Sequence, residues 1–278
     1  MSVKYKGRGK TLGPRAAQLI AELNERGRST FKVADVVSIT GLSMIAARNL
    51  VHRAQLRGVV ARLKPGLYNL VPYELGWSTV HTDSPYMIAR ELAGGATYFL
   101  SHGTAMELNR MVTQPNFTVY VSCTRRVHPQ RVGGYDFRFV QIQPDQEFGQ
   151  AKHWIEKSRF VVVSDVERTV VDGLRQPAYC GGITEVAKGL WMKRETLKIE
   201  RLIDYAKRLG TGAVFRRLGY LLEHYGLADT SELEQLRGML TATYQRLDPS
   251  LSAGGAFLSS WRIQLNVTPE ELDAVRLG

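Results

Sequence analysis

Cysteine is scarce in this sequence, with only Cys123 and Cys180 among 278 residues. The two are far apart and belong to no Cys-X-X-Cys pair or Cys/His cluster, which argues against a disulfide framework or a structural zinc site. Long apolar runs are also missing, because no stretch approaches the roughly 18 residues that a membrane span needs. The polar, basic N-terminus lacks the apolar core of a signal peptide. The sequence therefore predicts a cytoplasmic protein with no membrane partner.

Motifs for catalysis are equally sparse. No P-loop is present, the six histidines have no metal-ligand spacing, and the Ser-His pair at 101–102 lacks a triad partner or a G-x-S-x-G elbow. Asp165, Glu167 and Asp172 lie close in sequence, as in some metal-dependent nucleases. However, the Ser-Asp-Val-Glu segment that contains the first two has the spacing of a capping box. We therefore expect no enzyme activity, no metal and no cofactor.

Positive charge is concentrated in the first quarter of the chain. Residues 1–71 carry 13 Lys/Arg against three Asp/Glu, whereas the other 207 residues carry 24 bases and 23 acids. The first stretch therefore holds +10 of the net charge of +11. A small domain this basic is typical of phosphate binding. Its first ten residues are interpreted as a solvated tail or as an arm that lies along DNA, with the candidate contacts Lys4, Lys6, Arg8 and Lys10.

Apolar spacing in this basic region predicts three helices, over residues 14–26, 31–38 and 44–57. Thr40-Gly41-Leu42 is a compact turn between the second and the third, and Ser43 follows it as an N-cap. Two helices joined by a short turn that contains glycine are typical of a helix-turn-helix. The third helix then takes the position of the recognition helix.

The predicted third helix has two different faces. Its inner stripe consists of small and branched apolar residues: Ala47, Leu50, Val51 and Ala54. The opposite face carries Ile45 and a polar set. Arg reaches guanine and Asn reaches adenine bidentately in the major groove. The candidate DNA-binding residues of this helix and its cap are Ser43, Arg48, Asn49, His52 and Arg53.

Two strand-like runs follow at 59–63 and 67–70, separated by the turn sequence Lys64-Pro65-Gly66. A hairpin at this place is a wing, and Arg62 and Lys64 are candidates to contact phosphates or the minor groove. Winged helices also serve as protein-interaction modules, but the charge favours DNA. We therefore predict a winged helix-turn-helix domain with a basic arm over residues 1–75.

The remaining residues, 80–278, are predicted to form a larger α+β domain with a small sheet and a helical bundle, so that the chain as a whole is α+β. Predicted strands cover 117–122, 135–142, 159–163 and 261–267, and predicted helices include 165–174, 183–193, 198–209, 212–225 and 231–240. Paired bases such as Arg216-Arg217 are interpreted as solvated faces. A weaker second contact with DNA or with an acidic protein is the alternative.

The winged-helix start and several later segments resemble the AbiEi antitoxin family of bacterial abortive-infection toxin–antitoxin systems. The segments are Tyr-Phe-Leu-Ser-His-Gly-Thr-Ala-Met-Glu-Leu at 98–108, Ser-Asp-Val-Glu-Arg-Thr-Val-Val-Asp at 164–172, Leu-Asp-Pro-Ser at 247–250 and Trp-Arg-Ile-Gln-Leu-Asn-Val at 261–267.

The resemblance implies a transcriptional repressor with a role in phage defence. Its N-terminal domain would bind double-stranded DNA, at inverted repeats in the promoter of its own gene. The second domain would neutralise a co-transcribed, nucleotidyltransferase-like cognate toxin, and the antitoxin itself would not be an enzyme. The resemblance assigns no second-domain residue to the toxin.

Two further functions stay open. One is a nuclease targeted by its winged helix, which metal-dependent DNA cleavage lost on changing Asp165 or Asp172 would favour. The other is a one-component regulator whose second domain senses a small molecule, which a deep apolar pocket with converging polar groups would favour.

Overall fold

The computed structural model describes residues 12–72, 84–112, 117–156 and 159–276. Helices and strands are mixed along the chain, which confirms the predicted α+β class. The described chain divides into two compact units. The first comprises the described residues up to Gly95 with Arg131–Tyr135, Glu156 and Arg159, and the second comprises the rest. The predicted domain boundary at 75–80 stays a prediction, since residues 73–83 are not described.

The first unit combines helices with a small antiparallel sheet. Its elements are α1 (Pro14–Glu25), β1 (Thr30–Lys32), α2 (Val33–Thr40), α3 (Met44–Leu56), β2 (Val60–Lys64), β3 (Leu67–Leu70) and α4 (Pro85–Ala93). The sheet order is β1-β3-β2, with β3 antiparallel to both neighbours. Three helices followed by a hairpin confirm the predicted winged helix-turn-helix architecture.

The start of the second helix differs from the prediction. A helix was predicted from Phe31, whereas Thr30–Lys32 form a strand and the helix begins at Val33. Phe31 is fully buried and stacks on Tyr68 of β3, with ring centroids 5.9 Å apart. Asp35 then accepts a hydrogen bond from the Lys32 backbone N–H at 2.7 Å, which caps α2 at this point. Strand pairing and the cap together outweigh the helical apolar spacing.

The core of the first unit is apolar and continuous across α1, α2, α3 and the sheet. Its most deeply buried members are Leu19, Leu23, Phe31, Val36, Ala47 and Val51. Burial of each large side chain stabilises the fold by about 1.5–3 kcal/mol. This core holds α3 by its inner stripe and leaves the other face to solvent.

In the described ranges, no single helix is long and apolar enough to cross a membrane. Only α2 and α3 taken together pass by length and composition, and that pair is bent by 109°.

The rest of the chain contains a six-stranded mixed sheet of order β6-β7-β5-β4-β9-β8. The strands of this sheet are β4 (Tyr98–Leu100), β5 (Thr118–Cys123), β6 (Gln130–Val132), β7 (Tyr135–Gln141), β8 (Gln150–Glu156) and β9 (Arg159–Ser164). β5 runs parallel to β7 and antiparallel to β4, and β4 runs parallel to β9.

A set of helices accompanies the sheet, with α5 between β4 and β5 and the others after β9. The helices are α5 (His102–Leu108), α6 (Val166–Arg175), α7 (Ile183–Lys193), α8 (Ile199–Leu209), α9 (Gly212–Tyr225), α10 (Thr230–Arg237) and α11 (Pro269–Ala274). A second sheet of order β10-β12-β11 is formed by β10 (Gln245–Arg246), β11 (Phe257–Leu258) and β12 (Ile263–Gln264). The strand predicted at 261–267 is therefore much shorter, because Trp261 is buried in a turn before it.

The paired arginines of α9 also contradict the prediction. Arg216 and Arg217 are 0% and 3% exposed, so they do not form a solvated face. Both guanidinium groups donate to backbone carbonyls, of Thr241 and Thr243 for the first and of Leu174 for the second. Carbonyl partners make the burial of two adjacent charged side chains possible.

Candidate nucleic-acid interface

The junction between α2 and α3 has the geometry of a helix-turn-helix. α2 ends at Gly41, which adopts a left-handed φ of +68° and donates its N–H to the Val37 carbonyl at 2.9 Å. Glycine adopts this conformation without the steric cost that a Cβ brings. The two helices are bent by 109°, within the range of about 90–120° seen in helix-turn-helix motifs.

Helix α1 fixes this turn from the side. The Arg15 guanidinium donates to the Thr40 carbonyl at 3.1 Å, and the Gln18 amide donates to the Ile39 carbonyl at 3.0 Å. The last carbonyls of a helix have no partner within the helix itself. Since α1 supplies these partners, the end of α2 and the direction of the turn are fixed before any ligand binds.

Helix α3 begins at the predicted cap. The Ser43 hydroxyl accepts a hydrogen bond from the Ala46 backbone N–H at 3.3 Å, which confirms Ser43 as the N-cap. A helix N-terminus presents free N–H groups and the positive end of the helix dipole, both of which favour a phosphate. A contact between Ser43 and DNA stays a prediction.

The two faces of α3 separate as the sequence predicts. Ala47, Val51 and Ala54 are buried, and Leu50 is half-buried. The predicted reading residues are all exposed: Arg48, Asn49, His52 and Arg53. The helix contains no acidic residue that would repel phosphate. The exposed face therefore offers the donors and the charge that base edges and the DNA backbone attract.

Arg53 differs from the other three in its surroundings. Its Nε donates to the Asn49 backbone carbonyl at 3.3 Å. Together with Pro14 and Arg57, Arg53 lines a pocket of about 240 Å³ at the start of α1. This placement suits a contact with the DNA backbone better than a contact with a base edge.

Ile45 is the residue of this face that the candidate set omitted. Its side chain is 72% exposed, and it lies one helical turn before Arg48 and Asn49. A branched apolar side chain at the exposed start of such a helix suits the methyl group of thymine. The signal was visible in the sequence, because Ile45 lies on the predicted outer face.

The hairpin of β2 and β3 carries the two predicted wing residues. Gly66 turns the chain with a φ of +81°. Arg62 is exposed and Lys64 is half-buried, with a bulge in the strand between them. Partial burial and then the nearby Lys32 lower the pKa of Lys64. Both residues lie at the end of the hairpin nearest the turn.

Lys32 extends the basic surface of the wing. It is exposed at the end of β1 and pairs in register with Leu67, which also pairs with Lys64. Two lysines are thus brought to the same end of the sheet from strands far apart in sequence. The prediction missed Lys32 as a candidate because it placed this segment in a helix.

Three acidic side chains of the first unit pair with arginines that lie outside α3 and the wing. Glu22 pairs with Arg26 on α1. Arg28 pairs with Asp35 at 3.1 Å and with Glu91 at 2.8 Å. The positive charge of α3 and of the wing is therefore not used in these pairs. The four arm candidates, Lys4, Lys6, Arg8 and Lys10, lie outside the described residues.

The acidic residues that suggested a nuclease have structural partners. Asp165, not Ser164, is the N-cap of α6, and it accepts from the Arg168 backbone N–H at 2.8 Å. The predicted capping box is wrong because the Ser164 hydroxyl donates instead to the Leu100 carbonyl at 3.2 Å.

Glu167 and Asp172 are engaged elsewhere in the bundle. Glu167 accepts from the Lys198 backbone N–H at 3.0 Å, at the start of α8. Asp172 pairs with the buried Arg168 at 2.9 Å. Over the described ranges, no three His, Cys, Asp or Glu side chains are grouped so that they could hold a metal ion.

The Ser-His pair is enclosed in the second unit. His102 is 2% exposed, and its ring nitrogens contact the Ser101 hydroxyl at 2.9 Å and Gln176 at 3.1 Å. Burial lowers the pKa of His102, against the opposing effect of Asp172. This histidine is therefore part of a buried polar network.

The glycine turn, the exposed face of α3 and the basic hairpin define the class: this is a winged helix-turn-helix protein with a larger α+β unit. Residues 18–71 match the model of the family described as "Transcriptional regulator, AbiEi antitoxin". The match confirms the family resemblance over that segment. It also supports the coarse assignment as a DNA-binding antitoxin that regulates transcription.

A solved structure is similar over nearly the full length. The crystal structure of the RV2827C protein from Mycobacterium tuberculosis matches with a TM-score of 0.65 and 14% sequence identity, covering 96% of each chain. At this identity the likeness concerns the fold. No curated protein sequence matches the chain.

Proposed function

We propose that the protein binds inverted repeats in its own promoter, represses a toxin–antitoxin operon and neutralises a nucleotidyltransferase-like toxin. The observation that carries the DNA-binding part is the exposed face of α3, where Arg48, Asn49 and His52 stand on a helix fixed by its turn and core. The family match over residues 18–71 supports the antitoxin part.

Each element has a separate role in this proposal. The start of α3 enters the major groove, where Arg48 and Asn49 contact base edges. Lys32, Arg62 and Lys64 contact phosphates beside the groove and set the register of the protein on DNA. The arm of residues 1–10 adds sequence-independent affinity.

The second unit acts by binding and not by catalysis in this proposal, within the cytoplasm and without a cofactor. Support comes from the nuclease candidates, which are engaged in structural bonds. Asp165 caps a helix, Glu167 holds the start of another, and Asp172 pairs with a buried arginine. These contacts give each of the three carboxylates a structural role that needs no catalytic metal.

A gel-shift titration with the DNA upstream of the gene tests the DNA-binding part. Arg48→Ala and Asn49→Ala should each weaken specific binding by about 1–3 kcal/mol, and non-specific binding should change less. Arg90→Ala is the matched control, because Arg90 is an exposed arginine on α4 of the same unit. Unchanged affinity of both α3 variants would contradict the recognition-helix assignment.

A further inference from the structure

A pocket of about 320 Å³ lies beside the small sheet of the second unit. Tyr244 and Phe257 at its mouth are 45% and 64% exposed, and their rings meet edge to face at 5.4 Å. The pocket is lined by Arg217, Tyr244, Gln245, Arg246, Pro249, Phe257 and Gln264. Exposed aromatic side chains next to arginines are the residue types enriched at protein–protein interfaces.

Arg217 brings a buried positive charge to this pocket. Its guanidinium donates to the Leu174 carbonyl at 2.6 Å and to the Arg246 carbonyl at 3.1 Å. Within the described residues, no carboxylate forms an ion pair with it. Burial, only partly opposed by Asp248, lowers the pKa of Arg217 to about 10. A buried cation that has only carbonyl partners retains an unmet attraction for an anion.

Asp248 meets this attraction only in part, because its oxygens are hydrogen-bonded to other groups. One of its oxygens accepts from the Ile183 backbone N–H at 2.8 Å, and the other accepts from the backbone N–H of Ser250 at 2.8 Å. The carboxylate therefore stabilises the start of α7 and the turn after β10.

Two more arginines fix the loop that forms the rim. Arg216 donates to the carbonyls of Thr241 and Thr243, both at 2.8 Å, and Arg262 donates to the Leu240 carbonyl at 3.2 Å. These bonds hold the loop before β10 in place without neutralising the charge of either arginine. A rim ordered in advance loses less conformational entropy when a partner binds.

We propose that this pocket docks an acidic segment of a partner protein, whose carboxylate meets the arginines and whose neighbouring apolar side chain packs on the aromatic pair. Charge complementarity selects this occupant, because the arginines lack ion-pair partners in the described chain. Nucleic acid is disfavoured because residues 72–278 carry nearly as many acids as bases, 23 against 24. The identity of the partner as the toxin rests on the proposed function.

Selection from a displayed library of short random peptides on the immobilised full-length protein tests this chemistry. We expect the recovered peptides to place Asp or Glu next to Leu, Phe or Tyr. One such peptide should bind Phe257→Ala and Arg246→Gln about ten-fold more weakly. Phe117→Ala is the matched control, since Phe117 is 76% exposed and lies outside the pocket. The affinity of this variant for the peptide should be unchanged. Circular dichroism checks folding, with Tyr244→Ala as the substitute if a pocket variant unfolds.

Four results would overturn the proposal. Recovered peptides without an excess of Asp and Glu would contradict an acidic occupant. Peptides that bind the pocket variants as tightly as the wild type would also contradict it. An oligothymidine that binds wild type and is lost in the same variants would assign the pocket to single-stranded nucleic acid. Dimerisation abolished by Phe257→Ala would assign it to a second copy of the chain. Neither operator DNA nor toxin is used, so failure here is distinguishable from failure of the proposed function.

Discussion

The arginines of the first unit and those around α9 have opposite surroundings. Arg48 and Arg62 are exposed on a helix and a hairpin. Arg216 and Arg217 are buried and donate to backbone carbonyls. The same residue type is thus available to an external phosphate in one region and holds the chain together in the other. Burial and partners, not the count of bases, decide which role an arginine has.

The largest expected effect is on the free energy of unfolding, when an arginine is replaced by methionine in each of the two regions. Arg217→Met should lower the free energy of unfolding by about 3 kcal/mol, because it leaves buried carbonyls without donors. Arg48→Met should change it by less than about 0.5 kcal/mol, as expected for an exposed site. Urea unfolding of both variants measures this difference. Equal stabilities would show that the carbonyl contacts of Arg217 contribute nothing.

The sequence was most informative where one face of an element is buried and the other is exposed. The helices predicted at 183–193 and 212–225 have those bounds in the structure. The inner stripe of α3 was also predicted correctly, because its small apolar residues recur at helical spacing. In such elements the local pattern and the tertiary packing agree.

The prediction failed where long-range partners decide the outcome. β1 is a strand because Phe31 stacks on Tyr68, a residue far along the chain. β8, at Gln150–Glu156, is an edge strand with Lys152 and Trp154 exposed, so it lacks a clean apolar alternation. The burial of Arg216 depends on a loop that follows α10. None of these partners is visible in a local window of sequence.

Salt dependence sharpens the comparison on the DNA side. The logarithm of affinity should fall with the logarithm of salt by about 0.9 per phosphate contacted. Lys32→Ala and Arg62→Ala should each reduce that slope by about one contact. Deleting residues 1–10 should also make it shallower. Arg90→Ala serves as the control, and an intact protein with a slope near zero would mean that its charge is not used on DNA.

The smallest expected effect concerns Ile45. Replacing a contacted thymine by deoxyuridine removes one methyl group, which should weaken binding by about 0.8 kcal/mol. Ile45→Ala should bind thymine and deoxyuridine operators equally, whereas Leu56→Ala, an exposed apolar control at the other end of α3, should keep the preference. Gel shifts of both DNAs measure this. A thymine preference that survives in Ile45→Ala would remove Ile45 from the interface.

The most direct test of the whole account separates its two functions in the full-length protein. An Arg48→Ala/Asn49→Ala double variant is co-expressed with the toxin of the same operon, beside a reporter driven by the operon promoter. The account predicts that repression is lost while protection against the toxin is retained, because the substituted side chains are exposed on α3 and lie in the first unit. Retained repression, or loss of both functions in a variant that folds, would contradict it.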